Sequence, residues 1–169
     1  DKMIQLPKTA ELPEHFDWRK NDGNWVTPVK NQGSCGSCWS FSAVAQTESW
    51  WVIDNDRQDT VEAFDLSEQY LLAEGSAGGC DGGWVTAALD VARETGIPPE
   101  WCLEYDMSDT VEIEEADPDW QEYAYQIPGW GYVTSSEASV KNIKNALLYH
   151  PVSASYDVYE SFYYYNGGV

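Results

Sequence analysis

The chain has 169 residues, and 9 Lys and Arg against 29 Asp and Glu give a formal net charge of −20, which excludes a nucleic-acid partner because phosphate binding needs a basic surface. Hydrophobic residues make up 43% and aromatics 14%, with 9 Trp and 11 Tyr, far too much large apolar surface for a disordered acidic tail. The chain has no apolar run long enough to predict a membrane-spanning helix.

Residues Asp1 to Glu11 are polar and aperiodic, without the apolar stretch of a signal peptide. A boundary is expected near Leu12, where Leu12-Pro13-Glu14-His15-Phe16-Asp17-Trp18-Arg19 begins something denser. A Gly-rich turn, Asn31-Gln32-Gly33-Ser34-Cys35-Gly36-Ser37, leads into a stretch with no Gly or Pro through Val52. With Ser37 as N-cap, it predicts a buried helix with Cys38 in the first turn. Leu66 to Leu72 predicts a second helix, capped by Ser67 and closed by Gly75. A third runs from about Trp84 to Thr95, since Trp84, Ala87, Ala88, Val91 and Ala92 recur at helical spacing and Gly96 is a natural stop. From Tyr123 the texture becomes a Tyr-rich alternation ending in Pro128-Gly129-Trp130-Gly131, which reads as strand and turn. Thr134 and Glu137 read as a capping box for one more helix, with Val140, Ile143, Ala146 and Leu147 on its inner face. Pro151 to Tyr156 alternates like a strand, and the run Tyr163 to Val169 reads as the approach to another, cut before it begins. Helices first and strands later predict two lobes of different class. By length alone, one domain or a piece of a larger two-lobed protein is expected.

The four cysteines, Cys35, Cys38, Cys80 and Cys102, have to be sorted among disulfide, metal ligand, redox pair and nucleophile. A thiol in the first turn of a helix meets the positive end of the dipole and unpaired backbone N–H groups, which favour the thiolate nucleophile. Gln32 can aim a side-chain amide at the same point as the Cys38 backbone N–H, and such a pair of donors suits the oxyanion formed when a thiolate attacks a carbonyl. Cys35-Gly36-Ser37-Cys38 is also a CxxC, but Trp39 follows the second Cys and no short βαβ unit is visible, so a thiol–disulfide oxidoreductase is a remote alternative. A zinc site lacks a second close cysteine pair. The nine carboxylates from Glu104 to Glu122 lack the Gly-centred spacing of a calcium loop, as does Asp54 to Asp59, and read as solvated surface. No metal and no cofactor is expected.

From Leu12 to Glu48 the chain resembles the start of a mature papain-family cysteine protease. The resemblance rests on Asp17-Trp18-Arg19, Val26-Thr27-Pro28-Val29-Lys30-Asn31-Gln32-Gly33 and Cys35-Gly36-Ser37-Cys38-Trp39-Ser40-Phe41-Ser42, the last containing this family's local signature. It continues through Leu66-Ser67-Glu68-Gln69, Gly79-Cys80-Asp81-Gly82-Gly83 and Pro151-Val152-Ser153-Ala154, in family order. The resemblance implies an α+β, papain-like two-lobed fold. Residues 1–11 would be a leader or propeptide remnant, 12–122 a mainly helical lobe carrying the nucleophile, and 123–169 the first part of a truncated β-rich lobe.

The resemblance further implies that Cys38 is the nucleophile, Gln32 the oxyanion donor, and Cys35 the disulfide partner of Cys80. Gly36, Ser37, Gly82, Gly83, Trp84 and Ser155 would contact substrate. Gly82 and Gly83 would offer backbone N–H and C=O to an extended peptide, where the lack of a Cβ eases approach. Trp84 and Ser155 would line the pocket for the second residue before the scissile bond, with a hydrophobic preference. Glu48 would be a buried structural carboxylate. Glu74 stands where many relatives have Cys, and Cys102 has no evident partner, so it is expected to be a free or intermolecular thiol. Its position resembles some prokaryotic members.

The family's His and Asn fall about 130–150 residues beyond the nucleophile, at or past Val169. Neither His15 nor His150 matches the family's catalytic His. The expected function is a cysteine endopeptidase acting through a thioester, of which this chain is an N-terminal fragment, inactive without its base. The alternative is an inactive papain-like protein that binds peptides or serves structure. Expected partners are peptide or protein substrates and a propeptide or protein inhibitor in the cleft. A disulfide implies an extracellular or exported location. The acid excess fits an ordinary acidic secreted protein, and equally a salt-rich habitat in which salt screens a carboxylate surface.

Overall fold

The computed structural model describes residues 11–134 and 139–166. With no Gly or Pro to break the hydrogen-bond ladder, α1 runs over Cys38–Asp54. Its inner face carries Trp39, Ala43, Val44 and Val52 together with buried Ser40, Thr47, Glu48 and Ser49. Buried polar groups need partners: Ser40 Oγ donates to the Glu68 carbonyl at 3.0 Å and Thr47 Oγ1 to that of Ala43 at 2.9 Å.

The second helix, α2 (Glu68–Glu74), is bounded by the residues expected to bound it. Ser67 Oγ accepts the Tyr70 N–H at 2.9 Å, and Gly75 ends the helix in the left-handed conformation at φ 76°. Two short strands follow, β1 (Gly78–Gly79) and β2 (Gly82–Gly83), paired antiparallel with Gly78 opposite Gly83 and Gly79 opposite Gly82. Then α3 (Val85–Glu94) starts just after Trp84, its N-cap, and turns Ala88, Leu89, Val91 and Ala92 inward. These three helices share one core, in which Trp39 and Val44 meet Leu66, Tyr70, Leu71, Leu89 and Ile97.

Beyond residue 97 the expectations need correcting. The Tyr-rich alternation opens with a short helix, α4 (Trp120–Tyr123), and then forms an isolated bridge: Ile97 and Tyr125 exchange backbone hydrogen bonds at 3.0 and 2.9 Å. The Tyr125 ring is spent on packing against Trp51 and Phe64. The last helix, α5 (Val140–Leu147), has Ser139 rather than Thr134 as its N-cap, and Glu137 lies outside the described residues. Of its expected inner face Ala146 is buried, whereas Val140 is exposed.

Pro151 to Tyr156 forms no strand. Alternation only permits a strand, which also needs a ladder partner, and among the described residues the only ladder joins β1 to β2. This segment is held by side chains instead: Ser42 Oγ donates to Ser153 Oγ at 2.9 Å, and Ser153 Oγ donates to Gln46 Oε1 at 2.7 Å. Trp18 Nε1 ties the start of the described chain to α5 through the Leu147 carbonyl at 2.7 Å. Residues 1–10, which make up nearly all of the expected leader, and Gly167 to Val169 lie outside the described residues.

Candidate active site

The first residue of α1 is Cys38, a free and solvent-exposed thiol. The loop before it is anchored covalently, because Cys35 and Cys80 form a disulfide across 45 residues. Beside the bridge, the Gly36 N–H donates to the Cys80 carbonyl at 2.8 Å, and a Cβ at Gly36 would run into that carbonyl. Trp39 is buried and donates from Nε1 to the Gly79 carbonyl at 3.1 Å. A Cβ at Gly83 would collide with the Trp39 ring and the Ala77 carbonyl, so glycine is needed there to seat the loop on the tryptophan. Gly82, by contrast, has open space around it, at φ +122°. Both Gly82 and Gly83 are exposed, as is Trp84 at 75%.

Gln32 is held against the same loop, its Nε2 donating to the Cys35 carbonyl at 2.8 Å. A primary amide has two N–H donors, so one remains for another acceptor. Ser37 sits at the N-cap position of α1, but its hydroxyl makes no capping bond. It meets the Tyr105 hydroxyl at 2.6 Å, and that same hydroxyl reaches the Gln32 carbonyl at 2.9 Å. Tyr105 thus joins the residues before and at the two expected oxyanion donors. Sequence reasoning gave it no role, because no local pattern signals a contact across 73 residues.

Ser155 lines a cavity of about 580 Å³ with Trp50, Val85, Leu89, Trp130 and His150, and Trp84 is not among its walls. His150 is half-buried, which lowers its pKa, and His15 is exposed. Cys102 is free and buried, its thiol pushed up to about 11 by burial and by the nearby Asp117.

Lys30, two residues before Gln32, joins Glu48 of α1 in an ion cluster. Lys30 Nζ contacts Asp65 at 2.5 Å, Glu68 at 2.9 Å and Glu48 at 3.1 Å, and it donates to the Leu66 carbonyl at 3.0 Å. Glu48, fully buried, also accepts the Leu66 N–H at 2.8 Å and the Thr27 hydroxyl. Burial pushes the Glu68 carboxyl up to about 8 and that of Glu48 upward, against the pull of Lys30. Burial also opposes the charge of Lys30, but Glu48 and Glu68 outweigh it and raise its pKa. Among the described residues no three His, Cys, Asp or Glu side chains cluster so as to hold a metal ion, and no helix is long and apolar enough to cross a membrane.

The family model described as papain family cysteine protease matches residues 12–169. Fruit bromelain of Ananas comosus is 36% identical over 172 residues, covering 95% of this chain and 42% of its own. A cathepsin L-like peptidase of Aedes aegypti is 35% identical over 170 residues, covering 96% of this chain and 46% of its own. The viral cathepsin of Cydia pomonella granulosis virus is 46% identical over 97 residues, covering 56% and 27%. Among solved structures, the proform of the ragweed pollen cysteine protease Amb a 11 matches with a TM-score of 0.57 at 32% identity, over 72% of this chain and 35% of that one. The chain therefore spans less than half the length of these relatives. They come from plants, an insect and an insect virus, and lend no support to a prokaryotic affinity.

Proposed function

Because the chain belongs to the papain family of cysteine proteases, we propose that it carries the nucleophile of a cysteine endopeptidase that cleaves peptide bonds through a thioester. The fold is α+β and papain-like, with a helical left lobe and part of the right. One observation carries the reading: a free, exposed thiol on the first residue of a helix, framed by a disulfide-tied glycine loop and the Gln32 amide.

In this reading the Cys38 thiolate adds to the scissile carbonyl, and the resulting oxyanion is received by the Cys38 backbone N–H and the second Nε2–H of Gln32. Collapse expels the amine, which takes a proton from an imidazolium, and leaves an acyl thioester. Water, deprotonated by the same imidazole, hydrolyses the thioester and restores the thiol. By the family's motif spacing, that imidazole and its Asn orienter come at or beyond Val169 in this reading. Substrate lies along the exposed Gly82–Gly83 backbone as an added strand, near Gly36 and Ser37. Ser155, in the wall of the cavity, receives an apolar side chain, and the exposed Trp84 flanks the Gly82–Gly83 backbone. A propeptide or protein inhibitor would occupy the same cleft. The disulfide favours an exported or extracellular location.

The test is labelling of the natural polypeptide containing these residues with an epoxysuccinyl peptide. One equivalent on Cys38, abolished by Cys38→Ala, is the expected result. Labelling only after denaturation, or on Cys102, overturns the reading.

A further inference from the structure

Tyr105 bonds to both residues that prepare the oxyanion donors. Its hydroxyl lies 2.9 Å from the Gln32 carbonyl and 2.6 Å from Ser37 Oγ. Proton accounting fixes the direction of both bonds. A carbonyl only accepts, so the single phenol proton goes to Gln32, and Ser37 must then donate to Tyr105. The result is a directed chain from the Ser37 hydroxyl through the Tyr105 hydroxyl to the Gln32 carbonyl, in which each bond polarises the next.

The phenol is held from several sides. The Tyr105 N–H donates to Glu100 Oε1 at 2.7 Å, and the ring meets Phe41 of α1 edge-on at 4.9 Å. The next residue is fastened to α2, the Asp106 N–H donating to Gln69 Oε1 at 2.9 Å. Further along, Asp109 accepts the N–H of Cys80 at 3.0 Å. A hydroxyl so fixed restrains the loop it bonds.

The bond to Ser37 has a second consequence. Serine at an N-cap ordinarily turns its oxygen onto the N–H groups of the first helical turn. Here the hydroxyl is committed to Tyr105, and Ser37 caps nothing with its side chain. We infer that Tyr105 is a positioning residue of the oxyanion site: it tethers the backbone of Gln32 and diverts the Ser37 hydroxyl from capping the helix that begins at Cys38. The inference rests on the cysteine peptidase reading above. Loss of the phenol oxygen frees the Gln32 carbonyl and lets Ser37 swing onto the helix terminus, so both donors lose their register for the tetrahedral oxyanion while the thiol stays in place.

Tyr105→Phe in the natural polypeptide containing these residues tests this by three readouts. With a peptide amide substrate, kcat falls roughly 10- to 100-fold while KM stays within about twofold. A peptide aldehyde, which forms an oxyanion-bearing hemithioacetal with Cys38, binds more weakly in the same proportion. Alkylation of Cys38 by iodoacetamide, a displacement that creates no oxyanion, keeps its wild-type rate. Unchanged kcat and aldehyde affinity overturn the inference, as does an alkylation rate that falls in parallel with kcat. If Tyr105→Phe shows no thermal transition, Ser37→Ala decides by the same readouts: a several-fold loss of kcat with unchanged alkylation supports the inference, and a wild-type kcat overturns it. A wild-type polypeptide that neither hydrolyses peptides nor binds the aldehyde overturns the peptidase reading itself, and the inference with it.

Discussion

Glu68 is almost fully buried, and its carboxyl is pushed up to about 8 from an ordinary 4.5, by burial first. A carboxyl that holds its proton more tightly folded than unfolded contributes stability that is complete below about pH 4.5 and lost as pH rises through about 8. Glu48 shifts in the same direction. The urea midpoint should therefore fall between pH 5 and pH 9, and Glu68→Gln should flatten that fall. A wild-type curve already flat over this window would contradict it. Lys30→Met removes the cation that Glu48 and Glu68 share and should cost about 3–5 kcal/mol in urea unfolding at pH 9, where the Glu68 carboxyl is ionised. At this scale the helix start at Cys38 was legible from the Gly-rich turn before it, and the Cys35–Cys80 bridge from the family resemblance. Tyr105 and the Lys30 partners were not legible, because their bonds join residues 18 to 73 positions apart.

Element boundaries followed the same logic. The second helix was readable at both ends because Ser67 and Gly75 act on their own neighbours. Ser67→Ala should cost about 1–2 kcal/mol, since it removes the cap on Tyr70 and also the 2.6 Å bond that Ser67 Oγ donates to the Leu103 carbonyl; chemical denaturation at pH 7 measures it. The strands expected after Tyr123 failed because alternation says nothing about a partner. Tyr125 bridges to Ile97 and packs among aromatic rings, and Ser153 bonds two side chains on α1. Replacing both Cys35 and Cys80 by Ser should cost about 2–4 kcal/mol. It should also raise amide exchange at Gly36, Gly82 and Gly83, whose loops the bridge clamps together.

Across the whole molecule the net charge of −20 sets a repulsion that the few basic residues do not offset, with Lys30 already committed to Glu48 and Glu68. Added salt shortens the screening length from about 10 Å at 0.1 M to about 3 Å at 1 M, so NaCl should raise the melting midpoint by several degrees over that range. A midpoint that stays level or falls would show that the acidic surface is not under self-repulsion. The long reach of the contacts around Cys38 has a further consequence for biosynthesis. As the polypeptide leaves the ribosome, the helix bearing the thiol is made first, its disulfide partner 45 residues after Cys35, and the tyrosine that bonds Ser37 and Gln32 later still. Local helix formation is fast and long-range closure slow, so the helix bearing Cys38 should form well before the loops carrying Cys80 and Tyr105 close onto it.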